Sequence, residues 1–343
     1  MKIIHTADIH LDSPLVGVSD GVQRRQELLR ALQAMSDYAN NNEVMAIIVA
    51  GDLFDDKFTS DGTVRSVAEI ISHSNAVWFV VKGNHGDATP YAKLAQLVPQ
   101  VRFFGTSWTT YKLGNAVFCG KELSPSDQQP WGRLPLSEGT YNIVILHGDV
   151  DDPTYGFIDK NALANNPVNY VALGHRHAVS KLMFGRTKGC YSGVLEARGF
   201  DESAPTGFIL LDTEADSVNF VEQAIRKIVT KRVDISDVTS DIALERRLSE
   251  VIAGEASRNY FNLELVGTAN SGVRAEYIAK EFLKNKFFAL RVKNFATVKR
   301  DLDKISQEIS LRGEFVKLAM QIENPQFKER VLQMGLDLLQ GEE

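Results

Sequence analysis

The chain opens with MKIIHTADIH (residues 1–10), in which a short apolar run leads directly into two polar side chains. Ile3–Ala7 reads as a β-strand, and Asp8 and His10 follow at its carboxyl end. Because side chains alternate along an extended chain, Asp8 and His10 point to the same side and can reach a single cation. Exposed loops carry such pairs as well, so this segment indicates a metal site only if the same pattern recurs elsewhere in the chain.

The same arrangement follows four more apolar runs. Polar residues stand at their carboxyl ends, namely Asp52 after Met45–Ala50, Asn84 and His85 after Val77–Val81, His147 after Ile143–Leu146, and His175 and His177 after Val168–Leu173. Five of the chain's seven histidines lie in these segments. Imidazole, carboxylate and carboxamide groups are the ligands that a pair of divalent cations requires. Since sites collect at the carboxyl ends of strands in sheets bordered by helices, the five segments together predict a two-metal centre.

The apolar runs are rich in Val, Ile and Phe and are continuous rather than alternating, which indicates strands buried on both faces. Further runs of this kind are Ala116–Cys119 and Phe208–Leu211. Between the early runs, Gln23–Asn40 and Val64–His73 place apolar residues at helical spacing. Strands that alternate with helices, followed by strand-only sequence, predict an α/β fold in which sheets are sandwiched between helical layers.

The pattern changes near residue 225. Residues 226–300 read as strand, helix, strand, helix and strand, which predicts a small α+β cap domain after a first domain of residues 1–225. Residues 301–343 are helical, with a break at Asn324-Pro325. Because two short helices bury little against each other, this C-terminal segment needs a docking surface, either on this chain or on a partner.

The net charge of −6 argues against nonspecific nucleic-acid binding by the whole surface. Residues 226–300 are the exception, with fifteen Lys and Arg against nine Asp and Glu. On charge alone, this basic segment fits a solvated amphipathic surface as well as it fits a face that contacts nucleic acid.

The two cysteines, Cys119 and Cys190, lie in strand-like runs. We expect small buried hydrophobic residues in a reducing compartment, with a disulfide as the less favoured alternative. The N-terminal apolar run is too short for a signal peptide, and no stretch of eighteen apolar residues occurs. These features predict a cytoplasmic protein with no membrane partner.

The order D-x-H, G-D, G-N-H, H and G-H-x-H, formed by the segments above, resembles the calcineurin-like metallophosphoesterase superfamily. The opening HTADIHLDSPL (residues 5–15) is similar to SbcD/YhaO-type bacterial DNA repair exonucleases, and LRGEFV (residues 311–316) resembles the end of YhaO-type proteins. The likeness covers nearly the whole chain. It implies a four-layer αββα sandwich with a small α+β cap domain and a C-terminal helical tail.

The resemblance also implies a role for each polar residue at the strand ends. One metal would be bound by Asp8, His10 and His177, the other by Asn84, His147 and His175, and Asp52 would bridge the two. With nitrogen and oxygen ligands and no thiolate, Mn²⁺ is the first choice for the two divalent cations, and Fe²⁺ and Zn²⁺ are the alternatives.

His85 is expected to stay off the metals and to act as general acid or to stabilise the leaving oxygen. Asp55 is expected to pair with His85 and fix its tautomer; Asp56 is the alternative, and an exposed loop acid is the other interpretation of Asp55. The family usually has an acid directly after Gly-Asn-His, whereas this chain has Gly86 and then Asp87. Either Asp87 reaches the same place or His85 is held more loosely, which bears on turnover rather than on metal binding.

By resemblance, the favoured function is a Mn²⁺-dependent DNA nuclease that acts in DNA repair with an SMC-like coiled-coil ATPase docked on residues 301–343. The same ligands would serve equally well to hydrolyse a small phosphodiester or a phosphoprotein. A third hypothesis is a non-catalytic, metal-bound subunit of an ATPase complex. The sequence leaves a homodimer open.

Overall fold

A computed structural model describes residues 1–15, 21–55, 59–85, 87–124, 126, 129–270, 273–298 and 302–339. The chain forms two compact units. The first contains residues 1–229, 256–261 and 287–289, and the second contains residues 230–255, 262–286 and 290–343. The expected boundaries at residues 225 and 300 stay predictions, as do the roles given to those segments. Within the described residues, no helix is long and apolar enough to cross a membrane.

The first unit alternates strands with helices and then continues in strands. Its strands are β1 (Lys2–Thr6), β2 (Val44–Ala50), β3 (Val77–Val81), β4 (Arg102–Phe103), β5 (Thr109–Leu113), β6 (Ala116–Gly120), β7 (Tyr141–His147), β8 (Tyr170–Gly174), β9 (Ser180–Phe184), β10 (Thr187–Tyr191), β11 (Gly207–Asp212) and β12 (Ser217–Glu222). Its helices are α1 (Gly21–Asn41), α2 (Asp61–Ser72), α3 (Ala88–Leu97) and α4 (Lys160–Asn165), with a 3₁₀ turn at Pro153–Tyr155. Every strand predicted from an apolar run is present, within two residues at each end.

Two six-stranded sheets form the centre of the first unit, in the orders β12-β11-β1-β2-β3-β4 and β5-β6-β7-β8-β10-β9. In the first sheet β1, β2, β3 and β4 run parallel, and in the second β6, β7, β8 and β10 run parallel. The carboxyl ends of β1, β2 and β3 therefore share one edge of the first sheet, and those of β7 and β8 share one edge of the second. The polar segments begin at these ends.

The two faces of each sheet explain why the strands are apolar throughout. In β2, Ile47 and Val49 pack in a core with residues of α1 and α2, whereas Ile48 packs in a second core between the sheets. In that second core the rings of Phe79 and Phe118 stack 3.9 Å apart. A third core joins the outer face of the second sheet to α4. The predicted α/β sandwich of sheets between helical layers is confirmed.

Some elements were not apparent from the sequence. The strands β5 and β9, at the edges of the second sheet, alternate half-buried and exposed residues for most of their length. They therefore lack the continuous apolar run by which the central strands were recognised. The strand β4 is only two residues long.

Beyond β12 the chain forms the elements that were predicted for a cap. They are β13 (Ile228–Asp234), α5 (Asp241–Val251), β14 (Tyr260–Val266), β15 (Thr268–Ala269), α6 (Ala275–Leu283), β16 (Ala289–Asn294) and β17 (Thr297–Val298). The strands β13, β14 and β16 form a sheet with β14 in the centre, and β15 pairs with β17. The order strand, helix, strand, helix, strand agrees with the sequence pattern.

The C-terminal segment is helical, with α7 (Leu302–Ser306), α8 (Leu311–Met320) and α9 (Pro325–Leu339). These helices share a small core of Ile305, Val316, Ala319, Leu332 and Leu336. The break between α8 and α9 falls where it was predicted. There the Asn324 side chain accepts a hydrogen bond from the Phe327 N–H at 3.0 Å.

Candidate metal centre

The five strand-end segments converge on one cluster in the first unit. Backbone hydrogen bonds hold neighbouring turns side by side: Asp8 N–H donates to Gly51 O at 3.1 Å, and Asp52 N–H donates to Lys82 O at 3.1 Å. In the second sheet, the N–H of Gly148 donates to the carbonyl of residue 174 at 3.3 Å. The polar side chains are therefore carried on turns that are fixed by the sheets.

Four of these side chains start from backbone angles that are rare for residues other than glycine. The φ angle is +52° at Asp8, +48° at His10, +51° at Asp52 and +104° at His175. Each such conformation costs about 1–3 kcal/mol and persists only where its surroundings fix it. Because four occur in one cluster, the fold gives up stability to aim these side chains at a common point.

Two glycines let the turns approach each other closely. A Cβ on Gly51 would lie 2.0 Å from His147 Nδ1, and a Cβ on Gly83 would lie 2.3 Å from Asp52 Oδ1. Both glycines also have a positive φ, of +99° and +87°. Only glycine meets both demands, which gives the Gly-Asp and Gly-Asn-His segments a physical reason.

Asp8, His10 and His177 form one group of potential ligands, with one ligand atom of each within 4.8 Å of the others. Neither ring nitrogen of the buried His10 has a hydrogen-bond partner among the described residues. Burial, aided by the charge on Arg198, lowers the pKa of His10 to about 3, so the ring is neutral and has a lone pair to offer. A buried imidazole without partners is costly. A divalent cation would remove that cost, so this donor set fits a metal ion.

Asn84, His147 and His175 lie together, and His147 contacts Asp52. Asn84 Oδ1 lies 2.6 Å from His147 Nε2 and 3.1 Å from His175 Nδ1. His147 Nε2 also lies 3.2 Å from Asp52 Oδ2, which in turn is 3.7 Å from His10 Nε2. Asp52 therefore stands beside both sets. The structure brings all seven predicted ligands together, and their division between two cations stays a prediction.

The charges in the cluster are set by burial and by the two carboxylates. His147 Nδ1 lies 2.9 Å from Ala50 O, which only accepts, so Nδ1 carries a hydrogen and Nε2 faces the ligands. Burial opposes a charge on this ring, but the Asp52 and Asp8 carboxylates outweigh it and raise the pKa of His147 to about 9. Burial raises the pKa of Asp8 to about 6. Bound cations would replace the second proton of His147 and keep both carboxylates ionised.

Residues 1–179, more than half of the chain, match the calcineurin-like phosphoesterase family. The chain belongs to that family. The metallophosphoesterase YhaO of Bacillus subtilis is 23% identical over 279 residues, which cover 74% of this chain and 68% of that protein. The fold of the calcineurin-like phosphoesterases implies divalent metal ions, and the cluster contains the groups that can hold them.

Two further relatives are named DNA double-strand break repair protein Mre11. That of Methanosarcina acetivorans is 26% identical over 241 residues, 66% of this chain but only 39% of that protein. That of Aeropyrum pernix is 24% identical over 297 residues, 75% of this chain and 70% of that protein. Among solved structures, a dimetal phosphatase from Danio rerio has a TM-score of 0.43 at 13% identity, covering 61% of this chain and 91% of that one.

In this phosphoesterase, His85 lies at the rim of the cluster. Its side chain is 49% exposed, and its ring centroid lies 5.0 Å from that of His10. Asp55 Oδ1 is 3.7 Å from His85 Nδ1, where it can orient the ring. His10, Asp55 and His85 also form a group with ligand atoms within 4.8 Å of one another. The geometry thus allows the predicted acid role for His85 and also a metal-binding role.

The departure from the family pattern after Gly-Asn-His falls partly outside the described residues, because Gly86 lies there. Asp56, the alternative to Asp55, also lies outside them. Asp87 is described. Its Oδ1 accepts a hydrogen bond from the Thr89 N–H at 3.2 Å and caps α3. Asp87 therefore serves as a helix cap in this structure.

Sequence reasoning missed the residues that hold His177. Glu202 Oε1 lies 2.9 Å from His177 Nδ1, and Arg198 Nε donates to the same oxygen at 2.9 Å. Burial alone would raise the pKa of Glu202, but hydrogen bonds from His177 and Arg198 lower it to about 2. A carboxylate in this position fixes the tautomer of a metal-binding histidine. No local spacing pointed to Glu202, because it follows none of the strand ends.

The remaining histidines and the cysteines stand apart from the centre. His5 is buried, with Nδ1 2.9 Å from Tyr170 Oη, and His73 Nδ1 lies 2.8 Å from a backbone carbonyl at the end of α2. Cys119 and Cys190 are buried and free, as expected. These side chains are satisfied by packing and local hydrogen bonds.

Proposed function

We propose that this phosphoesterase is a Mn²⁺-dependent nuclease that hydrolyses phosphodiester bonds in DNA with two metal ions. The observation that carries the proposal is the convergence of seven proposed nitrogen and oxygen ligands. One of them is the buried His10, whose ring nitrogens have no partner among the described residues. Phosphodiester hydrolysis is the chemistry that a close pair of cations supports. DNA is the proposed substrate because two relatives are named as DNA repair proteins and residues 226–300 are basic.

In this proposal the ligands divide as the family resemblance implies. Asp8, His10 and His177 would hold one cation, Asn84, His147 and His175 would hold the other, and Asp52 would serve as a ligand to both. When bound, the cations activate a water and polarise the phosphoryl oxygens. Mn²⁺ is the preferred ion because the set mixes imidazole with carboxylate and carboxamide oxygens and has no thiolate.

His85 is the proposed general acid. Its exposure at the rim of the cluster leaves the ring open to a leaving oxygen, to which it can donate a proton. Asp55, 3.7 Å from the other side of the imidazole, is the proposed positioning residue that sets the ring orientation. Of the group His10, Asp55 and His85, this scheme uses His10 alone as a metal ligand.

The second unit supplies the proposed DNA contacts. Its exposed basic side chains include Arg232, Arg246 and Lys284, each in an ion pair with a neighbouring glutamate. Exposed ion pairs are worth about 0–1 kcal/mol, so exchange of a glutamate for a DNA phosphate costs little. Phosphate contacts of this kind position DNA without reading its sequence and weaken as salt rises.

The helix α9 supplies the proposed docking face for an SMC-like coiled-coil ATPase. Phe327, Met334 and Leu338 are 59%, 62% and 78% exposed and lie seven and four residues apart, which places them on one face of the helix. Leu332 and Leu336 are buried in the shared core. An exposed apolar helix face is suited to packing against another helix.

A substrate panel tests the proposal. The purified chain is incubated in Mn²⁺ with duplex DNA labelled at the 3′ or 5′ end, with bis-p-nitrophenyl phosphate and with cyclic nucleotides, with and without the proposed SMC-like ATPase. We expect DNA cleavage that stops on chelation. Hydrolysis of cyclic nucleotides with DNA untouched would indicate a small-molecule phosphodiesterase. Two bound cations with no hydrolysis of any substrate would indicate a non-catalytic subunit.

A further inference from the structure

Arg176 lies between the proposed ligands His175 and His177 and forms a bidentate ion pair with Asp149. Its Nε and Nη2 donate to Asp149 Oδ2 and Oδ1 at 2.7 and 2.6 Å, and Nη2 also donates to Asp151 Oδ2 at 2.7 Å. Asp149 follows the end of β7 by two residues. The ion pair therefore joins the loop after β7 to the loop after β8.

Tyr191 supports the same two loops from within the sheet. The guanidinium carbon of Arg176 lies 5.0 Å from the centroid of its ring, a cation–π contact. Tyr191 is fully buried at the end of β10. Its Oη donates to Gly148 O at 3.0 Å and accepts from the Val150 N–H at 3.0 Å. Tyr191 thus forms hydrogen bonds with the backbone of the loop after β7 and contacts the Arg176 guanidinium of the loop after β8.

The loop after β8 needs such support because its backbone is strained. His175 has a φ of +104°, and a Cβ on Gly174 would lie 2.0 Å from Ala50 O, so the chain is tightly enclosed at this point. The His175 N–H donates to the Asp8 carboxylate at 3.1 and 3.0 Å. A residue other than glycine keeps such an angle only where both sides of it are anchored. Arg176 is the anchor on the far side.

We propose that Arg176, Asp149 and Tyr191 form a brace that positions His147 and His175 for one of the two cations. The inference rests on the proposed ligand set and extends it. A contact from Arg176 to the substrate phosphate is the competing interpretation. It is disfavoured because Nε and Nη2 already donate to the two carboxylates, which a phosphate would have to displace.

Two variants test the brace. Arg176→Ala removes the guanidinium group. Asp149→Asn loses the bidentate ion pair but keeps an oxygen that can accept the turn hydrogen bonds from the N–H groups of Asp151 and Asp152. Loss of a group that orients a metal ligand lowers metal affinity by about 10–100-fold. We expect this loss for one of the two Mn²⁺ ions in each variant, with a matching fall in kcat and an unchanged KM for bis-p-nitrophenyl phosphate.

Arg176→Lys and Lys188→Ala serve as controls. Lysine keeps the charge but lacks the planar fork, so Arg176→Lys should lose affinity as Arg176→Ala does, and it covers the case in which the alanine variant fails to fold. Lys188→Ala removes an exposed ion pair between Lys188, which lies on β10, and Asp216. This variant should retain the wild-type affinity for both Mn²⁺ ions. The double variant Arg176→Ala/Asp149→Asn should bind Mn²⁺ no more weakly than either single variant does, because the two residues act as a unit.

Wild-type affinity for both cations in the two variants would overturn the brace. So would a raised KM at unchanged metal affinity, since that result identifies Arg176 as a substrate contact. A third result is that the wild-type chain binds two cations, loses affinity for one of them on Arg176→Ala, and does not cleave DNA. This result would support the brace and contradict only the choice of DNA as substrate. Fewer than two cations on the wild-type chain would overturn the ligand set and the brace with it.

Discussion

Two buried polar clusters of the first unit differ in whether their polar atoms find hydrogen-bond or ion-pair partners within the cluster. The first, the ion network, consists of Arg24, Glu27, Glu196 and Arg226, each at least nine-tenths buried. Glu27 accepts from Arg24 at 2.9 Å and from Arg226 at 2.7 and 2.6 Å, and Glu196 accepts from Arg24 at 2.6 Å. Two positive and two negative charges thus cancel, and within the described residues only the Arg24 Nε of this network lacks a partner.

The second cluster, the metal centre, is incomplete without a ligand. Both ring nitrogens of His10 lack partners among the described residues, and the oxygens of Asp52 and Asn84 crowd around His147. Its backbone is strained as well, whereas no member of the ion network has a positive φ. Burial of charge therefore does not mark a ligand site by itself. Unpaired donor atoms together with strained backbone do.

The largest expected effect comes from Asp52→Asn, which keeps the shape of the side chain and removes the proposed bridging charge. A bound cation contributes several kcal/mol to transition-state stabilisation, and each 1.36 kcal/mol is a factor of ten in rate. We expect kcat to fall by about 10³-fold and the metal content, measured by elemental analysis, to drop. Full metal occupancy in this variant would contradict the bridging role of Asp52.

The matching change in the ion network is Glu27→Ala, which leaves two buried arginines without their shared partner. Removal of one member of a buried ion pair costs about 3–5 kcal/mol, to be measured as the free energy of unfolding by denaturant. Metal content should not change. Gln26→Ala, at the exposed neighbouring position on α1, should shift the free energy by at most about 0.5 kcal/mol. Loss of metal in Glu27→Ala would contradict the claim that the ion network stabilises the fold without contributing to metal binding.

His85→Ala tests the boundary of the metal centre. A general acid contributes about 10²–10⁴-fold to the rate, so we expect kcat to fall by about 100-fold or more while both cations stay bound. Asp55→Asn should lower kcat in the same direction by about tenfold or more. If His85→Ala loses a cation instead, the group of His10, Asp55 and His85 is a metal site and His85 is a ligand.

The smallest effect concerns pH and the ion network. Burial alone would raise the pKa of Glu27, but hydrogen bonds from Arg226 and Arg24 outweigh it and hold the pKa below its ordinary value of 4.5. Such a carboxyl stabilises the fold above its ordinary pKa and loses that contribution as pH falls through the folded value. The difference in unfolding free energy between wild type and Glu27→Ala should therefore shrink below pH 4.5. A difference that grows on acidification would contradict the ion pairing.

The parts of the fold and the centre that depend on local spacing could be predicted from the sequence. Asp8 and His10, and each later pair of polar residues, stand directly at a strand end, so the pattern is visible within a few residues. Partners distant in the chain left no such signal: Arg24 and Glu196 are 172 positions apart. Glu202 was missed for the same reason, because only the fold brings it to His177. Arg176 and Asp149 stand within two residues of a proposed ligand, but only the fold pairs them with each other.

The most direct test of the two-metal centre is a crystal structure of the chain with Mn²⁺, in which the ions are located by anomalous scattering. We expect two peaks about 3.5–4 Å apart, both within ligand distance of Asp52, with His10 bound to one ion and His147 bound to the other. A single peak, or a peak held by His10, Asp55 and His85 with none at His147, would contradict it.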